Sequence, residues 1–272
     1  EALAVGRRYL EQLTEASPQR AGLLLAVALF ALESVHRLDD AEALLDEAEA
    51  LAVACPLPLW ADGQIEQVRG LLLISRGDAA AGLDVVRAGL GRVTTSRGRA
   101  RLYNVAGIAA AETGDDEGAM AAFEDAAVLD VDDGALHAAS IDLGNVAELA
   151  LRLGDRARAA ARQLESLDLA LALGARQEMA SAWIVASRLA DGDGDHETAV
   201  WLQTAADALL EVLGIRLYPS DRALCDAVLE RGRTALGNDR FDELAEEGRR
   251  AHTDEVVARA RSVLINNAAG HE

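Results

Sequence analysis

The sequence predicts an all-α fold: antiparallel helix pairs stacked as an α-solenoid and closed by a C-terminal helical cap. Three observations carry that expectation. A glycine-aspartate turn recurs as Gly77-Asp78, Gly114-Asp115, Gly154-Asp155 and Gly194-Asp195, with Leu38-Asp39 as a degenerate earlier copy, at intervals of 39, 37, 40 and 40 residues. Small residues occupy fixed offsets from the first residue of each turn. No stretch alternates apolar and polar residues with hairpin punctuation, so strand signals are missing.

Taken in order, residues 2–15 read as an amphipathic helix with Leu3, Leu10 and Leu13 on one side, and the chain is expected to be a segment of a longer protein. The apolar run Ala21–Leu32 that follows is shorter than the ~18 residues of a membrane span. At each later turn glycine ends one helix and aspartate caps the next. Seven residues before the turn stand Ala31, Gly70, Gly107, Ala147 and Ser187. Five residues after it stand Ala43, Gly82, Ala119, Ala159 and Ala199, and twelve after it Ala50, Gly89, Ala126, Ser166 and Ala206. Small side chains in these columns let two helices approach closely within a pair and let pairs stack. The repeats span residues 1–213, about five pairs behind a leading helix. Residues 214–272 form a cap within the same domain, with shorter helices near 220–236, 239–249 and 254–265.

Composition removes several chemistries. The formal charge is −20, and all 26 basic residues are arginine. Without lysine there is no P-loop and no Schiff-base cofactor. The acidic balance argues against direct nucleic-acid binding, which needs a basic footprint. Cys55 and Cys225 match no metal or redox spacing and are expected to be reduced. His36, His137, His196, His252 and His271 form no ligand pair, and no nucleophile elbow is present. Asp191-Gly192-Asp193-Gly194-Asp195-His196-Glu197 fails the calcium-loop template, with His196 for glycine and Leu202 for glutamate. That segment is expected to be a flexible solvated loop, and Asp130–Gly134 an inter-repeat loop. The arginine groups at 87–101 and 152–162 read as solvated faces paired with the excess acids. Trp60, Trp183 and Trp201 read as repeat-interface core. No catalysis, cofactor, metal or membrane contact is expected, and the location is expected to be cytoplasmic.

The columns resemble those of the tetratricopeptide repeat. Gly107, Gly114-Asp115, Ala119, Phe123 and Ala126 make the best copy, and Asn145 and Ala159 fit in the next. The unit is longer than the usual 34 residues, and Val131 stands where the family has a closing proline. Further on, Ala199-Val200-Trp201-Leu202, Leu213-Gly214, Pro219, Arg222, Leu236-Gly237, Phe241, Gly248-Arg249, Glu255-Val256 and Ala258 look like the C-terminal segment of actinobacterial-type STAND signalling ATPases, including LuxR-type and adenylate-cyclase-fused regulators. The resemblance implies an upstream ATPase domain and an output domain outside this chain. It also implies ligand-facing positions thirteen, ten, six and two residues before each turn. These are Gln64 and Gln67, then Arg101, Asn104 and Glu112, then Glu148 and Arg152, then Ser181 and Arg188. The implied function is a non-catalytic sensor module for a protein or peptide partner, or for the ATPase domain of the same chain. The alternative is a stand-alone peptide-binding or assembly scaffold. The oligomeric state stays open.

Overall fold

A computed structural model describes residues 2–33 and 37–270; His36 and His271 lie outside the described residues. The described residues form fourteen α-helices and one 3-10 turn, with no strand. No helix among them is long and apolar enough to cross a membrane. The chain divides into two compact units, Glu1–Ala135 and Leu136–Glu272.

The first unit holds α1 (Ala2–Gln12), α2 (Pro18–Glu33), α3 (Leu38–Ala54), the 3-10 turn Leu59–Ala61, α4 (Gln64–Ser75), α5 (Ala79–Leu90), α6 (Ser96–Glu112) and α7 (Asp116–Asp132). Its helices pack chiefly as the consecutive pairs α2/α3, α4/α5 and α6/α7. Leu24, Leu25, Leu45 and Leu102 are fully buried in its core. The second unit holds the pairs α8 (Leu136–Arg152)/α9 (Arg156–Leu173) and α10 (Arg176–Gly192)/α11 (His196–Leu213). It continues through α12 (Pro219–Leu236), α13 (Asn238–Arg250) and α14 (Thr253–Ala268), close to the three tail helices expected. Leu167, Leu189, Leu202, Leu244 and Leu264 fill this second core.

The recurring turn works as its two residues dictate. Gly77, Gly114, Gly154 and Gly194 take φ between 80° and 87°, a region open to glycine at little cost. Asp78, Asp115, Asp155 and Asp195 each accept a hydrogen bond on the side chain from a backbone N–H three residues on. The aspartate N–H also closes the preceding helix, as in Asp155 N–H to the Ala150 carbonyl at 2.8 Å, a Schellman-type stop. The turns between pairs use the same device. Gly134, Gly174 and Gly214 also have positive φ, so from Gly114 to Gly214 a left-handed glycine falls every twentieth residue. Where the turn lies within a pair, aspartate follows; between pairs, Ala135, Ala175 and Ile215 follow.

In the last four copies of the repeat every small-column residue is buried. A Cβ on Gly107 would stand 2.8 Å from the Phe123 ring, and one on Gly82 would stand 3.0 Å from the Gly70 carbonyl oxygen. Ser187 and Ser166 spend their hydroxyls on the carbonyls of Ala199 (2.8 Å) and Ser140 (2.7 Å), pinning one helix to its neighbour.

Four expectations are corrected. The first turn lies earlier than Leu38-Asp39, because α3 already begins at Leu38 with Arg37 in the cap position. Ala43 and Ala50 are accordingly exposed, and Ala41 and Ala48, two residues ahead, are the buried pair at 0%. Asp130 is no loop residue: α7 runs through it, and it is buried 3.4 Å from Arg97. The Asp191–Glu197 segment is a loop only at 193–195, an exposed turn, since Asp191 and Gly192 end α10 and His196 and Glu197 begin α11. The Asp191 side chain receives Arg231 Nε at 2.8 Å and meets His196 Nδ1 at 3.1 Å. Asp193 is held by Arg156 and by Asn267 Nδ2 at 2.9 Å, which ties the α10/α11 turn to α14. Finally, Trp183 and Trp201 are core residues at 3% exposure, whereas Trp60 is 52% exposed.

Candidate functional site

The ligand-facing positions expected in the first unit serve structure as much as surface. Gln64 opens α4 and is buried, and both Gln64 and Gln67 carry a buried side-chain oxygen with no hydrogen-bond partner. Arg101 on α6 donates to the carbonyls of Trp60 (2.8 Å) and Asp62 (3.1 Å) and so straps down the segment before α4. Burial, and then the Arg97 charge, pull its pKa below the ordinary guanidinium value. Asp62 reinforces the strap, since its carboxylate accepts from the N–H groups of Thr94 and Thr95, both at 2.8 Å. Asn104 is half-buried and Glu112 is exposed near the end of α6.

In the second unit three of the expected residues converge. Glu148 on α8 and Arg188 on α10 both stand six residues before their turns, and Arg188 Nη1 donates to Glu148 Oε1 at 2.6 Å. With Ser181 they line a cleft of about 250 Å³ walled by α8 and α10, floored by α9 and flanked by α12. Arg152 is exposed and outside this lining.

Each wall has a local cause. Ser140 and Ser166 keep α8 and α9 close through the hydroxyl–carbonyl contact above, and a Cβ on Gly144 would have only the Ser166 hydroxyl, at 3.7 Å, as a neighbour. That leaves room above the floor. Pro219 starts α12, where its missing N–H costs nothing. Two ion pairs then hold α12 against the pair α10/α11: Arg222 donates to Asp207 at 2.8 Å, and Arg231 donates to Asp191. Val228 is buried, and Gly232 leaves no room for a methyl beside Val200. These contacts set Asp221, Leu224 and Cys225 along the cleft, with Leu217 entering from the preceding loop.

The electrostatics are acid-rich. Asp221 is raised above the ordinary aspartate value, first by desolvation and then by the neighbouring Glu148 charge, against which Ser220, Arg188 and Arg152 pull only partly. Burial pushes the Cys225 thiol up to about 11, so it stays protonated at neutral pH and is no nucleophile. Glu178 at the rim faces His137 Nε2 at 3.2 Å. Gln163 on the floor is 1% exposed, and neither its Oε1 nor its Nε2 has a hydrogen-bond partner. An amide buried in that state costs on the order of 1–3 kcal/mol.

Several cleft residues are missing from the expected set for a simple reason. Ile141, Gly144 and Ile184 sit at thirteen or ten residues before their turns, but they are apolar or lack a side chain. Asp221 and Leu224 belong to the tail, which sequence reading treats only as a cap. Gln163 did leave a signal. Nine residues after each glycine turn stand Val86, Phe123, Gln163 and Gln203, at 0%, 3%, 1% and 0% exposure. Two glutamines interrupt an otherwise apolar core column.

No family model matches the sequence, and no curated protein matches it.

Proposed function

We propose that this chain is a non-catalytic binding module of tetratricopeptide type, the effector- or partner-sensing arm of a larger cytoplasmic signalling ATPase. The convergence of Glu148, Ser181 and Arg188 on one cleft carries the reading. Positions spaced by the repeat become neighbours in space, which is what a stacked-hairpin binding surface requires. The unit differs from the usual repeat in length: two half-units of twenty residues replace the 34-residue period. The tail string from Ala199 to Ala258 supports the STAND-type assignment through its order of motifs. Sensing in such a protein needs a ligand that binds one arrangement of the helices better than another. The contacts of α12 support that reading: it lines the cleft with Asp221 and Cys225 and pairs with the repeats through Arg222–Asp207 and Arg231–Asp191.

The test begins with capture of partners on the immobilised chain and their identification by mass spectrometry. Arg188→Ala and Glu148→Ala should each weaken the captured partner by more than about 1 kcal/mol, as anchors rather than rim residues do. Partner affinity unchanged in both variants would overturn the reading.

A further inference from the structure

The glutamines in the core column are the least expected feature of the second unit. At the same position the first unit places Val86 and Phe123, which bury without leaving polar atoms behind. Gln203 is partly satisfied, donating to Asp207 at 3.1 Å, but its Oε1 has no partner. Gln163 is worse placed, with both donor and acceptor unmatched beside an open cleft. A side chain in that state complements a group that accepts and donates side by side, and a neutral amide does both.

The walls specify the rest of a ligand. Val185, Ile184, Ile141, Leu217 and Leu224 offer aliphatic surface on several sides of the floor. Three acids, Glu148, Glu178 and Asp221, face one cation, Arg188, which is already committed to Glu148. The residual field is negative: Arg188 and Arg152 offset the charge of Asp221 only in part, and its side-chain hydrogen bond among the described residues is with Ser220 at 3.5 Å. Such a corner favours an ammonium.

We infer that the cleft beside α12 binds a small ammonium-bearing amide: an aliphatic group, a neutral amide and a cationic amine on one short skeleton. The amide pairs with Gln163, the ammonium lies between Asp221 and Glu148, and the aliphatic group packs on Ile184 and Leu224. This rests on the binding-module reading and narrows it to one site and one ligand chemistry. A free amino-acid amide and the amino end of a peptide share that chemistry.

Calorimetric titration of the whole chain with leucinamide tests it directly, against N-acetylleucinamide, which lacks the cation, and isopentylamine, which lacks the amide. Leucinamide should bind at least about tenfold more tightly than either. The tripeptide Leu-Ala-Ala separates the two sources: comparable binding points to a peptide's amino end, and exclusion to a free amide, both within the chemistry inferred. Gln163→Met keeps the volume and removes the amide. It should melt no lower than wild type and bind leucinamide at least about tenfold more weakly. Asp221→Asn, at an exposed position in the first turn of α12, should weaken leucinamide to a similar degree and leave N-acetylleucinamide unchanged. Absence of leucinamide binding at about 10 mM, or equal binding by wild type and both variants, would overturn the inference. If partner capture still depends on Arg188 and Glu148 in that case, the module reading stands and only the ligand chemistry fails.

Discussion

Asp130 and Asp62 bring the same side chain into opposite surroundings. Burial raises the Asp130 carboxyl above its ordinary value, and Arg97 at 3.4 Å offsets this only in part. At Asp62 burial also raises, but hydrogen bonds from Thr95 and Thr94 outweigh it and hold the carboxyl low. The linkage signs differ accordingly. A raised carboxyl binds its proton more tightly in the folded chain, so its ionisation costs stability at neutral pH, and that cost vanishes once pH falls below the unfolded value. A lowered carboxyl adds stability above the unfolded value and loses it as pH falls through the folded one. Asp130→Asn keeps an acceptor for Arg97 and removes the buried charge. Its melting temperature at pH 7 should exceed wild type by about 1–4 °C, the span that an effect of ~1 kcal/mol or less produces in a chain of this size. The gain should shrink towards pH 4. A lower melting temperature at pH 7 would show that the Arg97 pair outweighs the burial of the charge.

At the scale of single elements, what the sequence made legible is what a local rule governs. The Gly-Asp turns, their caps and the buried small columns follow from positive φ, capping and close approach, each settled within a few residues. The first turn carries no Gly-Asp pair, so Leu38-Asp39 marks it late, inside α3. Acidic runs suggest solvent and hence loops, yet Asp130 and Asp191 are paired with arginines distant in sequence, a pairing that no local pattern encodes. The docking of α13 on α11 is equally non-local, and it depends on Gly248. A methyl there would run into the Trp201 carbonyl oxygen and the Thr204 hydroxyl, both belonging to α11. Gly248→Ala should therefore lower stability by roughly 1–3 kcal/mol in overpacking, less about 1 kcal/mol of helix propensity gained. Gly91→Ala is the control, since its Cβ would meet only the Ala88 carbonyl oxygen at 3.7 Å. Paired thermal melts decide it: a Gly248→Ala chain as stable as Gly91→Ala would mean that α13 does not sit as described.

Across the whole molecule, the candidate site was half legible. Glu148, Ser181 and Arg188 lie in the columns that the tetratricopeptide resemblance implies, whereas Asp221, Leu224 and Cys225 reach the cleft only because the tail turns back onto α10 and α11. Arg101 stands in a column expected to face ligand yet spends its guanidinium on the backbone carbonyls of the segment before α4. On the inference above, a small ammonium-bearing amide enters the second unit between the first helices of its pairs and α12. Hydrogen exchange of the whole chain, with and without saturating leucinamide, addresses that most directly, because ligand contact slows local opening where it binds. Slower exchange is expected in 136–152, 176–192 and 219–236, with residues 2–132 unchanged. Exchange unaltered in those three helices, or protection confined to the first unit, would contradict it.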